Sequence, residues 1–166
     1  MKKILLWLSA FILLSNSGIL AQTETEVMNR YDYSSPEASF ESYKQAIKNK
    51  DAAGIAIHLW QAYKANPDVN LPAADFTDFA AQSEAAVNNL GFEKAFAPFT
   101  KINWGAKRYN ITDLDFIQEK DRIYDKDAKI TSCFIILADK NSGELVTADL
   151  WNLDGTKEWW LSTNID

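Results

Sequence analysis

The sequence has one cysteine, one histidine, four prolines and six glycines among its 166 residues. A single thiol, Cys133, cannot form an internal bridge, so the chain must hold together without disulfides. It sits in an apolar run between Ser132 and Phe134, where a small inert hydrophobe is expected rather than a reactive nucleophile. One imidazole and one distant thiol do not make a zinc site, and neither a metal nor another cofactor is expected. No glycine-rich phosphate loop occurs, and no Ser-His-Asp or Cys-His spacing supports nucleophilic catalysis. Bases are in the minority, with 17 Lys and Arg against 23 Asp and Glu and a net charge of −6. They are interspersed with acids, whereas binding a phosphate backbone needs a basic patch, so no nucleic-acid partner is expected.

The one long uncharged apolar run, residues 4–14, is shorter than the ~20 residues that span a bilayer. It follows Met1-Lys2-Lys3 and gives way to small and polar residues ending at Ala21, the pattern of a secretory signal peptide over residues 1–21. No cysteine follows it, so a lipoprotein anchor is not expected. The expected location is periplasmic or secreted, in a bacterial setting, with no membrane span after cleavage. Removing Lys2 and Lys3 (17 − 2 = 15 bases against 23 acids) takes the net charge to −8.

What the chain has in quantity is apolar and aromatic surface: 47% hydrophobic residues, 13% aromatic, six of them Trp. That suits one domain with a substantial core, residues 34–166, behind a polar leader over residues 22–33 that lacks a period and is expected to be flexible. Ser35 as cap, Pro36 in the first turn and Glu37 beside it predict a helix carrying Phe40, Tyr43 and Ile47 on one face and closing at Asn49-Lys50. Asp51 is placed to cap a second helix, residues 52–65, with Ile55, Leu59, Trp60 and Tyr63 at helical spacing. Asn66-Pro67 stops it. A third helix is expected over residues 73–90, with Phe76, Phe79, Ser83, Val87 and Leu90 on one side and Gly91 as its stop. A short helix over residues 92–99 is broken by Pro98.

Beyond Lys101 the period changes. Residues 107–118 read as a strand with a bulge, and the charged run 119–127 as a solvated hairpin end. Residues 130–138 are apolar on both faces, with Ile130, Phe134 and Ile136 against Cys133, Ile135 and Leu137, which marks a central strand needing cover on both sides. In residues 145–153, Leu145, Thr147, Asp149, Trp151 and Leu153 alternate with Val146, Ala148, Leu150 and Asn152. Asp154-Gly155 then predicts a two-residue hairpin loop into a strand with Trp159 and Leu161 on one face and Trp160 on the other. The expected class is α+β: amino-terminal helices packed on a curved antiparallel sheet of four or more strands.

Ser35-Pro36-Glu37, then Tyr43, Ala46 and Ile47, then Lys48-Asn49-Lys50-Asp51, and a closing Trp159-Trp160 strand after Asp154-Gly155 together resemble the superfamily of nuclear transport factor 2 and ketosteroid isomerase, also called SnoaL-like or cystatin-like. The resemblance covers residues 35–163. It implies a cone, with a bent sheet wrapped around the first helix and a pocket at the open end. Its members include isomerases, dehydratases and domains without known chemistry, and fold alone does not choose among them. None of the family's catalytic positions carries over onto these residues.

Candidate chemistry is thin. His58 could serve as a general base, although a lone His on a partly apolar helix is more often structural. Asp113 and Asp115 are expected to share a strand face. Asp149, beside Tyr43 or Tyr63, could imitate the acid-and-tyrosine arrangement of the isomerase branch. Asp139-Lys140-Asn141-Ser142-Gly143-Glu144 fails the calcium-loop rule and reads as a turn. Tyr43, Trp60, Tyr63, Trp104 and Trp151 are the candidates to line a pocket for a small apolar or aromatic ligand. Three functional readings follow: an exported binding or accessory domain with an aromatic-lined pocket; a small lyase or isomerase using Asp149 or His58; and an interaction module whose open sheet face is covered by a partner. A homodimer through the sheet is a further expectation.

Overall fold

A computed structural model describes residues 22–65, 70 and 72–162. The expected signal peptide, residues 1–21, and the expected Asn66-Pro67 helix stop lie outside the described residues. Helices come first and strands last: α1 (Glu24–Met28), α2 (Pro36–Lys48), α3 (Ala52–Ala65), α4 (Phe76–Leu90) and the short α5 (Phe92–Ala95), then β1 (Lys101–Trp104), β2 (Lys107–Asn110), β3 (Leu114–Asp125), β4 (Ile130–Asp139), β5 (Leu145–Leu153) and β6 (Trp160–Leu161). The last four make an antiparallel meander in sequence order, and β1–β2 form a separate hairpin. The class is α+β as expected, with amino-terminal helices on an antiparallel four-stranded sheet that is not closed.

The segment expected to be a flexible leader is a folded part of the domain. Thr23 and Glu26 make a capping box: Glu26 N–H donates to Thr23 Oγ1 at 3.2 Å, and Thr23 N–H donates to Glu26 Oε2 at 2.7 Å. Val27 is fully buried and Tyr33 nearly so. Glu24 holds α1 against α3, accepting from Gln61 Nε2 at 2.6 Å and pairing with Lys64 at 3.0 Å. Trp159 N–H donates to Tyr33 O at 2.8 Å, so this stretch also lies beside the last strand.

The α2–α3 corner follows from its sequence. Ser35 Oγ accepts from Ala38 N–H at 3.1 Å, and Pro36 occupies the first turn where no amide partner is needed. Lys50 takes a left-handed φ of 54°, which turns the chain within a residue. Asp51 Oδ1 then accepts from Gly54 N–H at 2.9 Å, while Oδ2 takes the Tyr31 hydroxyl at 2.7 Å and Arg30 at 3.0 Å. A Cβ at Gly54 would stand 2.9 Å from Asp51 Oδ2 and 2.9 Å from Tyr31 Cε2, so only glycine permits this approach.

Helix α3 is buried far beyond the one expected stripe. Ala52, Ala53, Gly54, Ala56, Ile57, His58 and Gln61 are buried along with Ile55 and Trp60. Small residues all round let it run between two clusters. The larger cluster packs Phe40, Tyr43 and Ile47 of α2 on the inner sheet face: Cys133, Ile135 and Leu137 of β4, and Val146, Ala148 and Leu150 of β5. The smaller one gathers Val27, Tyr33, Trp60, Phe76, Phe79, Trp151 and Trp160 around the far side of α3. α4 starts at Phe76 rather than residue 73 because Asp75 caps it, and Leu90 of its expected stripe is exposed.

Three strand expectations change. The run 107–118 is broken by a 3-10 turn at Ile111–Asp113 into β2 and the start of β3, and β2 pairs with β1, which the sequence reading did not assign. The charged run is strand rather than turn: β3 continues to Asp125, with bulges between Phe116/Gln118 and Glu119/Asp121. The loop after β5 is longer than two residues, because Leu150 pairs with Leu161 and Trp151 with Trp160. Asn152 Nδ2 fastens that loop by donating to Glu158 O at 2.7 Å.

Candidate functional site

His58 is 1% exposed. Ser162 N–H donates to Asp149 O at 2.7 Å, so the neighbouring Leu161 N–H points away from β5, on the outer edge of the sheet. It donates to His58 Nδ1 at 3.1 Å. The ring therefore carries its proton on Nε2, which has no hydrogen-bond partner and sits among Tyr33, Tyr43 and Trp160, at centroid distances of 5.5, 4.6 and 5.4 Å. Burial pushes its pKa down to about 3. A neutral, enclosed imidazole that caps a strand edge is not placed to exchange protons with a substrate. In this position it is a structural acceptor.

The expected aromatic pocket is not assembled. Tyr43 lies in the inner core with its hydroxyl donating to Phe99 O at 2.9 Å. Trp60 stacks on Phe79 at 5.7 Å, Tyr63 packs edge-on against the same ring at 6.1 Å, and Trp151 belongs to the same cluster. Of the five candidate ligand-binding residues only Trp104 is exposed, on the β1–β2 hairpin, at 42%. Aromatic content in the sequence registered the second core, not a cavity.

Asp149 does not meet a tyrosine. Its neighbours Ala148 and Leu150 face the inner core where Tyr43 lies, so Asp149 points to the opposite side of the sheet. Its carboxylate has no ion pair and no side-chain hydrogen bond among the described residues, and burial raises its pKa. Asp113 and Asp115 also part company: Asp113 sits in the 3-10 turn and accepts from Asn110 Nδ2, while Asp115 pairs with Lys140 at 3.0 Å and Lys44 at 3.6 Å.

A shallow cleft of about 270 Å³ lies between the hairpin and the β4–β5 turn, lined by Lys107, Tyr109, Asp113, Asp139, Ser142 and Glu144. Arg108 also lines it and has no ion pair among the described residues, but the other charges have partners within the protein. Lys107 pairs with Glu144 at 2.6 Å, and Asp139 Oδ2 accepts from both Ser142 N–H (2.9 Å) and Ser142 Oγ (2.6 Å). Among the described residues no cluster of three His, Cys, Asp or Glu could hold a metal ion, and no helix is long and apolar enough to cross a membrane.

The remaining feature is the outer face of the sheet. Register places five rows on it: Asp125–Ile130–Leu153, Ile123–Ser132–Trp151, Asp121–Phe134–Asp149, Gln118–Ile136–Thr147 and Asp115–Ala138–Leu145. Helices cover the Trp151 end through the second cluster. Phe134 and Ile136 are half-buried at the centre, and Ile123 and Leu145, toward opposite corners, are each 57% exposed. The doubly apolar pattern of β4 was the signal for this surface.

No protein-family model matches the chain, and neither a curated protein nor a solved structure matches it.

Proposed function

We propose that this domain is a non-catalytic binding module whose working surface is the outer face of β3–β5. One observation carries the reading: Phe134 and Ile136 form the centre of a sheet face that no described helix covers there, with Ile123 and Leu145 exposed beside them. Contiguous apolar surface of this kind marks interaction sites more often than scattered exposed residues do. The enclosure of His58 and the solitary position of Asp149 weigh against the lyase or isomerase reading, which needs an acid or base within reach of a substrate proton. Kinship with SnoaL-like domains stays a proposal supported by the order of helices and meander, and export a proposal supported by residues 1–21.

The test uses the immobilised chain and an extract of the cells that make it. A partner retained by the wild type should also be retained by the cleft variant Lys107→Ala/Glu144→Ala and be lost by Phe134→Ser/Ile136→Ser. Neither position belongs to a buried core cluster, so the variant should keep its Trp emission and cooperative melting. Retention by the face variant, or loss only with the cleft variant, would show that the surface is misassigned.

A further inference from the structure

The character of the outer face specifies its occupant, on the premise that this face is the working surface. Among the register positions of the five rows there is no Lys or Arg, but there are four acids, of which Asp125 at the hairpin end accepts from Asp127 and Ala128 N–H. Asp115 is already neutralised by Lys140 and Lys44. Asp121 and Asp149 are not: neither has an ion pair among the described residues. Both stand in one cross-strand row with Phe134 between them. With strands about 4.8 Å apart, the two acids flank the phenyl ring at about 10 Å from each other. Lys120, in the adjacent bulge, pairs with neither.

We propose that this face receives a basic segment of a partner protein that also carries aliphatic side chains, with a Lys or Arg head group over Phe134 between Asp121 and Asp149. The ring offers a cation its negative face, the carboxylates offer it charge, and Ile136, Ile123 and Leu145 accept the aliphatic neighbours. Asp149 adds support, because burial without a counter-charge disfavours its ionised form and a docked cation would reverse that. A second copy of this chain is the weaker occupant. A two-fold contact centred on Phe134 would bring the same pair of acids onto the same pair of acids. This argues against the homodimer through the sheet that the sequence led us to expect.

Three synthetic peptides of equal length distinguish the occupants, with Leu and Ile interleaved with Lys, with Gln or with Glu. Binding to the full chain is followed by anisotropy of the labelled peptide at low and raised salt. The Lys peptide should bind best and lose affinity with salt. Asp121→Asn/Asp149→Asn should weaken it about tenfold, as expected for two partly exposed ion pairs. Glu37→Gln/Glu93→Gln changes the net charge equally from exposed helix positions and should leave binding intact. An equal loss in the two variants would mean a diffuse field and overturn the proposal. If the Gln peptide binds as well as the Lys peptide, and Phe134→Ser/Ile136→Ser abolishes both, the surface stands and its basic preference falls. If no peptide binding depends on Phe134 and Ile136, the surface falls with it. A wild-type dimer in sedimentation that becomes monomeric in Phe134→Ser/Ile136→Ser would make the occupant a second copy and overturn the proposal.

Discussion

Lowering the pH from 7 to 5 should destabilise this protein through one residue. His58 titrates near 6.5 in an unfolded chain, and in the fold its pKa is depressed to about 3. Between those values the unfolded state binds a proton that the native state refuses. Stability from this group is therefore complete above about pH 6.5 and falls as the pH drops toward 3, at ~1.4 kcal/mol per unit. From pH 7 to 5 the loss comes to about 2 kcal/mol, a large share of the 5–15 kcal/mol typical of a domain. That is roughly 6 °C in Tm at this chain length. Carboxylates held low by local hydrogen bonds, such as Asp139 beside Ser142, and by Lys140 at Asp115, lose their contributions mainly below pH 5. Asp149, raised by burial, acts in the opposite direction. Glu84 is raised by burial as well, and both acids are the same in wild type and in a His58 variant, so the difference between the two slopes from pH 5 to 6.5 isolates the imidazole. His58→Asn keeps an acceptor near the Nδ1 position for Leu161 N–H and removes the titration. It will melt lower at pH 7 because the ring leaves a cavity, but its stability should lack the wild type's fall across the window. Urea unfolding at half-unit pH steps reads both slopes. Parallel slopes for wild type and His58→Asn would refute the view that His58 is enclosed and neutral.

Three other outcomes are expected. Gly54→Ala should destabilise by about 1–3 kcal/mol despite the better helix propensity of alanine, since its methyl meets Asp51 and Tyr31 at 2.9 Å; a rise in Tm would contradict the close approach. Thr23→Ala should cost about 1 kcal/mol and raise amide exchange across residues 22–33 ahead of the rest of the fold; unchanged exchange would mean that the capping box does not hold α1. Asp149→Asn should raise Tm at neutral pH. The folded pKa of this acid lies above its unfolded value, so ionisation costs stability as pH rises, and the advantage of the variant should close in acid. A variant that melts lower than wild type at pH 7 would mean that Asp149 has a stabilising partner.

Where a residue's role was fixed by its immediate neighbours, the sequence was readable. Ser35-Pro36, Asp51 and Gly91 start or stop helices through bonds to residues three or four positions away, and all three behave as read. The two faces of β4 and β5 were also plain, because alternation reports burial directly. Three other features depended on distant partners. β3 beyond Gln118 is a charged, exposed edge strand whose pairing is decided by β4, so its own pattern resembled a turn. α3 owes its all-round burial to small residues that helical periodicity does not score. The role of His58 depends on Leu161 and could not be seen from either end of that pair. The Thr23–Glu26 box, by contrast, is legible in the sequence, although no hydrophobic period follows it.

The bond between His58 and Leu161 also has a consequence in time. The two residues are 103 positions apart, and Trp160, one of the walls of the second core, arrives with the same strand. Val27 and Tyr33 precede α3 and Phe76 and Phe79 follow it closely, but Trp151 and Trp160 of the same core are made only with the last two strands. The second core cannot close until the last described strand has been made, so the far side of α3 stays incompletely covered until then. A ribosome-bound chain stopped before Trp159 should be cut readily by protease within α3, and one extended past Ser162 and clear of the exit tunnel should resist.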